Sequence, residues 1–212
     1  MLKALFFGSI GTLIETSELQ RQAYNRAFSR AGLDWYWNVA TYCQLLRQVG
    51  GKARLKRYAD GQIDNATLDQ VHRLKESYFK EMLAGGEDAR PGVREIIHAA
   101  QQKGLLIYWV TTTSQSNIDG VLQALIGQLQ RDDFDRIYTA QDVTAPKPDP
   151  AIYRQALMDS GHSPDQILVI EDTQENAEAA RAAGLRTLLF SGEYALSDDS
   201  HSLNHLSAEL LD

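Results

Sequence analysis

Lys3-Ala4-Leu5-Phe6-Phe7 runs directly into Gly8-Ser9-Ile10-Gly11-Thr12. An apolar, aromatic-rich run broken at once by small residues reads as a buried strand ending in a turn. The same pattern returns downstream. Leu105 to Val110 is apolar almost throughout and meets Thr111-Thr112-Thr113-Ser114; Ile167 to Ile170 meets Glu171-Asp172; Arg186 to Phe190 makes a further strand. Between them lie helical patterns. Val93, Ile96, Ile97 and Ala100 follow i, i+3, i+4, i+7 spacing after Pro91 and stop at Gly104, and Ile118, Val121, Leu122, Leu125 and Ile126 line the next helix. An alanine-rich helix ends at Gly184. Apolar strands separated by amphipathic helices predict an α/β fold, a Rossmann-like doubly wound parallel sheet covered on both faces.

The stretch between the first strand and Pro91 breaks this rhythm. Ser17 with Gln20 forms a capping box ahead of Ala23, Tyr24, Ala27 and Phe28, which predicts a helix over 18–31 stopped by Gly32. Asn38 precedes a helical pattern to Val49, and Asn65 opens another through Leu68, Val71, Tyr78 and Met82. No strand pattern interrupts them. The expected organisation is a core domain from residues 1–14 and 90–212, with an all-helical domain, 15–89, inserted after the first strand. Trp35 and Trp37 read as the core of that insert.

Composition narrows the function. The 212 residues carry 21 basic and 28 acidic side chains, a formal charge of −7, without a basic stripe. That argues against nucleic acid, whose phosphates need clustered Lys and Arg. The longest apolar run near the start is Leu5-Phe6-Phe7, far short of the roughly 20 residues of a membrane span. A single cysteine, Cys43, and the lack of a secretory pattern point to a cytoplasmic protein, expected to be a monomer.

In doubly wound sheets ligands bind beyond the carboxyl ends of the strands. That rule selects Gly8 to Thr12, Thr111 to Ser114, and Glu171-Asp172, with Lys147 in the intervening loop Ala145-Pro146-Lys147-Pro148-Asp149-Pro150. The adjacent carboxylates of Glu171 and Asp172 suit a hard cation such as Mg²⁺, although Asp172 and Glu175 also spell a helix capping box. Thr111 to Ser114 offers an anion cradle or a plain N-cap. Lys147 is a point charge for a phosphate or a solvated surface lysine.

Taken in order, strand and G-x-G-T-L turn, strand and threonine, lysine, strand and paired acids, the chain resembles the haloacid-dehalogenase superfamily of phosphatases and phosphomutases. The likeness spans nearly the whole chain. Gly32-Leu33-Asp34-Trp35, Gly50-Gly51-Lys52 with Arg54, Glu15-Thr16, Tyr24-Asn25 and Arg90-Pro91-Gly92-Val93 are similar to the CbbY-type branch, whose better-known members dephosphorylate sugar bisphosphates. The resemblance implies that Thr111 and Thr112 bind the phosphoryl group, Lys147 neutralises it, and Glu171 and Asp172 help hold Mg²⁺. It further implies that Glu15, Gln20, Tyr42, Gly51, Lys52 and Arg54 line the substrate side, and that the partner is a phosphorylated small molecule, a sugar phosphate.

The first motif departs from that pattern. The superfamily writes D-x-D-G-T-L where this chain has Gly8-Ser9-Ile10-Gly11-Thr12-Leu13. The missing carboxylates would be the nucleophile, also a metal ligand, and the general acid/base; glycine and isoleucine can do neither. Gln20 also stands where the branch has a histidine. Strand alternation puts positions 8 and 10 on one side and Ser9 on the other, so Ser9 is a poor substitute. The expectation is a catalytically impaired homologue that keeps a phosphate site. The alternatives are an active Mg²⁺-dependent hydrolase using altered chemistry, with Glu15 positioning a water, and a structural or partner-binding protein with an unused site.

Overall fold

A computed structural model of the chain describes residues 1–46, 50–194 and 203–212. Five strands, β1 (Ala4–Phe7), β2 (Leu106–Val110), β3 (Arg136–Tyr138), β4 (Ile167–Glu171) and β5 (Arg186–Leu189), form one parallel sheet in the order β3-β2-β1-β4-β5. The chain steps outward from β1 through β2 to β3, then returns to the other side of β1 for β4 and β5. The winding direction therefore reverses between β1 and β4, and this is where such sheets open a crevice. Phe7 is in register with both Trp109 and Ile170, so Gly8 and Glu171 emerge side by side at that reversal.

Every residue of β1 and β4 is buried, as coverage of both faces requires. Phe6 stacks on Tyr108 at 5.0 Å between ring centroids, and Tyr138, Ile152, Tyr153 and Val169 complete that side of the core. Helices α5 (Val93–Gln102), α6 (Gln115–Ala124), α7 (Ala151–Ser160) and α8 (Gln174–Ala182) belong to this layer system. Four helices precede them in the chain: α1 (Ser17–Arg30), α2 (Val39–Leu46), α3 (Gly51–Ala59) and α4 (Asn65–Leu83).

The described residues fall into two compact units. One comprises Met1–Glu15, Gly86–Gly192 and residues 203–212; the other comprises Thr16–Gly85 with residues 193–194. The second is helical, its core built on Tyr24, Phe28, Trp37, Tyr42, Leu55 and Leu68. Trp37 is fully buried, with the Tyr24 ring at 4.5 Å and the Phe28 ring at 4.9 Å. No helix is long and apolar enough to cross a membrane among the described residues.

Several local expectations shift. The cap of α1 is Thr16, not Ser17: the Gln20 amide donates to the Thr16 hydroxyl at 3.1 Å, so the polar pair spans four residues instead of three. Asp64 rather than Asn65 caps α4, its carboxylate accepting from the Thr67 N–H at 2.7 Å. The pattern expected to run to Val49 lies, from residue 47 onward, outside the described residues. Helix α6 stops at Ala124, which leaves Ile126 beyond the reach of helical spacing and 71% exposed. Strand β3 is three residues long at the sheet edge, too short for its pattern to stand out.

Gly92 locks the end of the chain in place. Its φ is +83°, and a Cβ there would lie 1.8 Å from the Leu206 carbonyl oxygen, a backbone atom. Leu206 is buried, and its N–H donates to the Pro91 carbonyl at 3.1 Å. Gly92→Ala is expected to cost at least about 1–2 kcal/mol from the left-handed backbone alone. Urea denaturation checks the cost, and limited proteolysis is expected to release the segment around Leu206 first.

Candidate functional site

The turn after β1 is held by its own backbone. The Thr12 and Leu13 N–H groups donate to the Ser9 carbonyl at 2.9 and 2.8 Å, and the Gly11 N–H donates to the Ile14 carbonyl at 2.7 Å. Arg90, buried, clamps it from outside. Its guanidinium donates to the Gly11 carbonyl, to the Phe190 and Ser191 carbonyls at 2.6 Å each, and lies 3.5 Å over the Phe190 ring. Glu15 packs close to Gly192: its Oε2 is 2.5 Å from where a Cβ on that glycine would stand.

Residue 8 is glycine, and the space a side chain would need there is occupied. A Cβ on Gly8 would meet Thr12 Oγ1 at 2.5 Å and Glu171 Oε2 at 2.6 Å. The Thr12 hydroxyl is fully buried and has no hydrogen-bond partner among the described residues; the Ser9 hydroxyl, also buried, has none either. Unpaired buried hydroxyls cost about 1–3 kcal/mol each. Ile10 is half-buried and bridges Ile14.

Glu171 ends β4 with no solvent exposure. Its Oε1 accepts hydrogen bonds from the Lys147 ammonium and the Tyr153 hydroxyl, and its Oε2 accepts from the Asp172 N–H at 3.3 Å. Lys147 also donates to the Val110 carbonyl at 2.7 Å and lies 4.6 Å from the Tyr153 ring centroid, with its side chain only 6% exposed. The solvated-lysine alternative is thereby overturned, since the loop turns the ammonium inward across the ends of β2 and β4. Burial, with Glu171 adjacent, pushes the Tyr153 phenol well above its ordinary value, and the same causes push the Asp172 carboxyl well above the carboxylate range. Asp172 is not the cap of α8. Thr173 is, accepting from the Asn176 N–H at 3.3 Å.

Thr111, buried at the end of β2, accepts from the Thr113 N–H at 3.1 Å, while the Thr112 N–H has no acceptor among the described residues. Ser114 is the cap of α6. Thr111 and Thr112 thus stand outside the helix cap, and their loop, Lys147 and Glu171-Asp172 gather at the carboxyl ends of β2 and β4.

In the helical unit the basic run splits. Lys52 is exposed and pairs with Asp69 at 2.6 Å, whereas Arg54 is buried, donates to the Leu45 carbonyl at 3.0 Å and lies 5.7 Å from the Tyr42 ring. The Gly51 carbonyl accepts from the Tyr24 hydroxyl at 3.0 Å. Tyr42 is fully buried in the aromatic core, with the Trp37 ring at 5.9 Å and the Tyr24 ring at 6.3 Å.

Sequence reasoning missed Lys75 and Tyr153. Lys75 is 4% exposed, donates to the Gln20 side chain at 3.2 Å and to Glu76 at 2.9 Å, and has its pKa lowered by burial. The signal was present, since Leu68, Val71, Lys75 and Phe79 share the buried face of α4 and the lysine interrupts it. Tyr153 carries no such mark, because on α7 it reads as another core aromatic.

The residues present do not fit a resident Mg²⁺. The ion prefers six ordered oxygens. Glu171 is already spoken for, Asp172 accepts from Asn176 at 3.4 Å, and among the described residues no group of three or more His, Cys, Asp or Glu converges.

Comparison with known proteins agrees with this architecture. The family model for haloacid dehalogenase-like hydrolases matches residues 2–184. Protein CbbY of Rhodobacter capsulatus is 39% identical over 203 residues, covering 93% of this chain and 89% of that protein. The crystal structure of CbbY from Rhodobacter sphaeroides in complex with phosphate is 35% identical with a TM-score of 0.80, covering 99% of this chain and 96% of that one. A mutant of the same CbbY, in complex with xylulose-1,5-bisphosphate, is 34% identical with the same TM-score and coverage. The chain belongs to the haloacid dehalogenase-like hydrolase family, in its CbbY-like phosphatase branch.

Proposed function

We propose that this protein is a CbbY-like phosphatase homologue that has lost phosphoryl-transfer chemistry and keeps a site for a phosphorylated small molecule, a sugar phosphate. The observation that carries the reading is the state of the first motif. Gly8 and Ile10 supply neither nucleophile nor proton, and the orphaned Thr12 hydroxyl stands beside the room a side chain at residue 8 would need. Phosphoryl transfer is mostly positioning and charge stabilisation, and a threonine loop with a buried lysine supports binding without supplying a nucleophile. The CbbY complexes with phosphate and with xylulose-1,5-bisphosphate support the ligand class. Mg²⁺ has at most a weak hold here.

Two measurements test the reading. Thermal shift with inorganic phosphate, sugar monophosphates and xylulose-1,5-bisphosphate is expected to show stabilisation, near 2.7 kcal/mol at about a hundredfold excess over Kd. Phosphate release from the same panel is expected to stay at the protein-free background. Steady release that Asp172→Ala abolishes would make the protein a working hydrolase, and no shift with any phosphorylated compound would remove the binding half.

A further inference from the structure

We infer that the Lys147 ammonium serves as the counter-cation of the Glu171-Asp172 pair in place of a divalent metal, so that the site is neutralised from within the chain. The inference deepens the proposed function and rests on it only for the ligand; the counter-cation itself stands on the geometry of the sheet unit.

Four observations converge. The Glu171 carboxylate is fully buried and both its oxygens are already met, Oε1 by Lys147 and Tyr153 and Oε2 by the Asp172 N–H. The ammonium is held from a second direction by the Val110 carbonyl, so moving it takes one donor from each of two buried acceptors. The fixed ammonium offsets the charge of the Glu171 carboxylate, which weakens the attraction for a dication that must also shed water. Finally, with Gly8 at position 8, the room beside β1 is filled by Glu171 itself, within 2.6 Å of where a Cβ would stand.

The consequence is that an anion at the Thr111 loop binds without metal and competes with Glu171 for Lys147. The full chain, stripped with EDTA, is titrated with Mn²⁺ and followed by the electron paramagnetic resonance signal of the aqueous ion. In parallel, the shift in melting temperature caused by inorganic phosphate is measured with EDTA and with Mg²⁺. The expected result is no saturable loss of the Mn²⁺ signal up to roughly 1 mM, the weak end of protein cation sites, and a phosphate shift equal in the two conditions. Stoichiometric Mn²⁺ binding that Asp172→Asn removes, or a phosphate shift that needs Mg²⁺, would overturn the inference. A protein that binds no Mn²⁺ and gives no phosphate shift in either condition upholds the counter-cation and overturns the phosphate-site reading instead.

Discussion

Lys147→Met is expected to lower the unfolding free energy by about 3–5 kcal/mol, the usual result of stranding one partner of a buried ion pair. Glu171 has no exposure to solvent, and the Lys147 side chain is 6% exposed, so neither charge has water to fall back on. The substitution keeps most of the apolar stem of the lysine and removes its charge together with the N–H donors to Glu171 and Val110, which separates the polar contacts from packing. After it, the carboxylate retains the Tyr153 hydroxyl and the Asp172 N–H but no cation. Lys147→Met/Glu171→Gln is expected to recover much of the loss, because contacting residues couple by about 0.5–3 kcal/mol in a double-mutant cycle. Urea denaturation followed by circular dichroism measures the single variants Lys147→Met and Glu171→Gln and the double variant. A single-variant loss below about 1 kcal/mol with no coupling would mean that Glu171 does not depend on Lys147.

Gly8→Asp/Ile10→Asp is expected to raise Mg²⁺-dependent phosphate release from sugar phosphates by at least roughly 10²–10⁴ over the unaltered chain, the range for general acid/base help alone. Stability is expected to fall by about 1–3 kcal/mol, since extra atoms are forced into a filled space. The obstruction is specific. The new Cβ at position 8 would meet Thr12 Oγ1 at 2.5 Å and Glu171 Oε2 at 2.6 Å, so Glu171 must turn away before the aspartate can settle. Gly8→Ala carries the packing cost without the chemistry and serves as the control. If the double variant folds, binds phosphate and still releases none, then the two carboxylates do not suffice for phosphoryl transfer in this chain.

The fold was legible because burial on both faces of a parallel sheet leaves an uninterrupted apolar run, and Leu5 to Phe7 and Ile167 to Ile170 are such runs. The edge strand Arg136–Tyr138 was not, since three residues beside solvent carry little pattern. Thr111, Lys147, Glu171 and Asp172 were legible as strand-end and loop residues. Lys75 was readable as a charge on an apolar helix face, whereas only packing shows that Tyr42 belongs to the aromatic core.

By itself the sequence determined the α/β class and the run of helices between the first two strands, because these follow from periodicity along the chain; that positions 8 and 10 lack carboxylates has meaning only against the first motif of the family the chain resembles. Only the tertiary structure decided that Lys147 faces inward, that Tyr153 joins it on Glu171, and that Glu171 fills the room beside Gly8. Those groups come from a loop and the helix that follows it, from the end of β4, and from the turn after β1. Their meeting depends on strand register and side-chain direction, which no local pattern encodes.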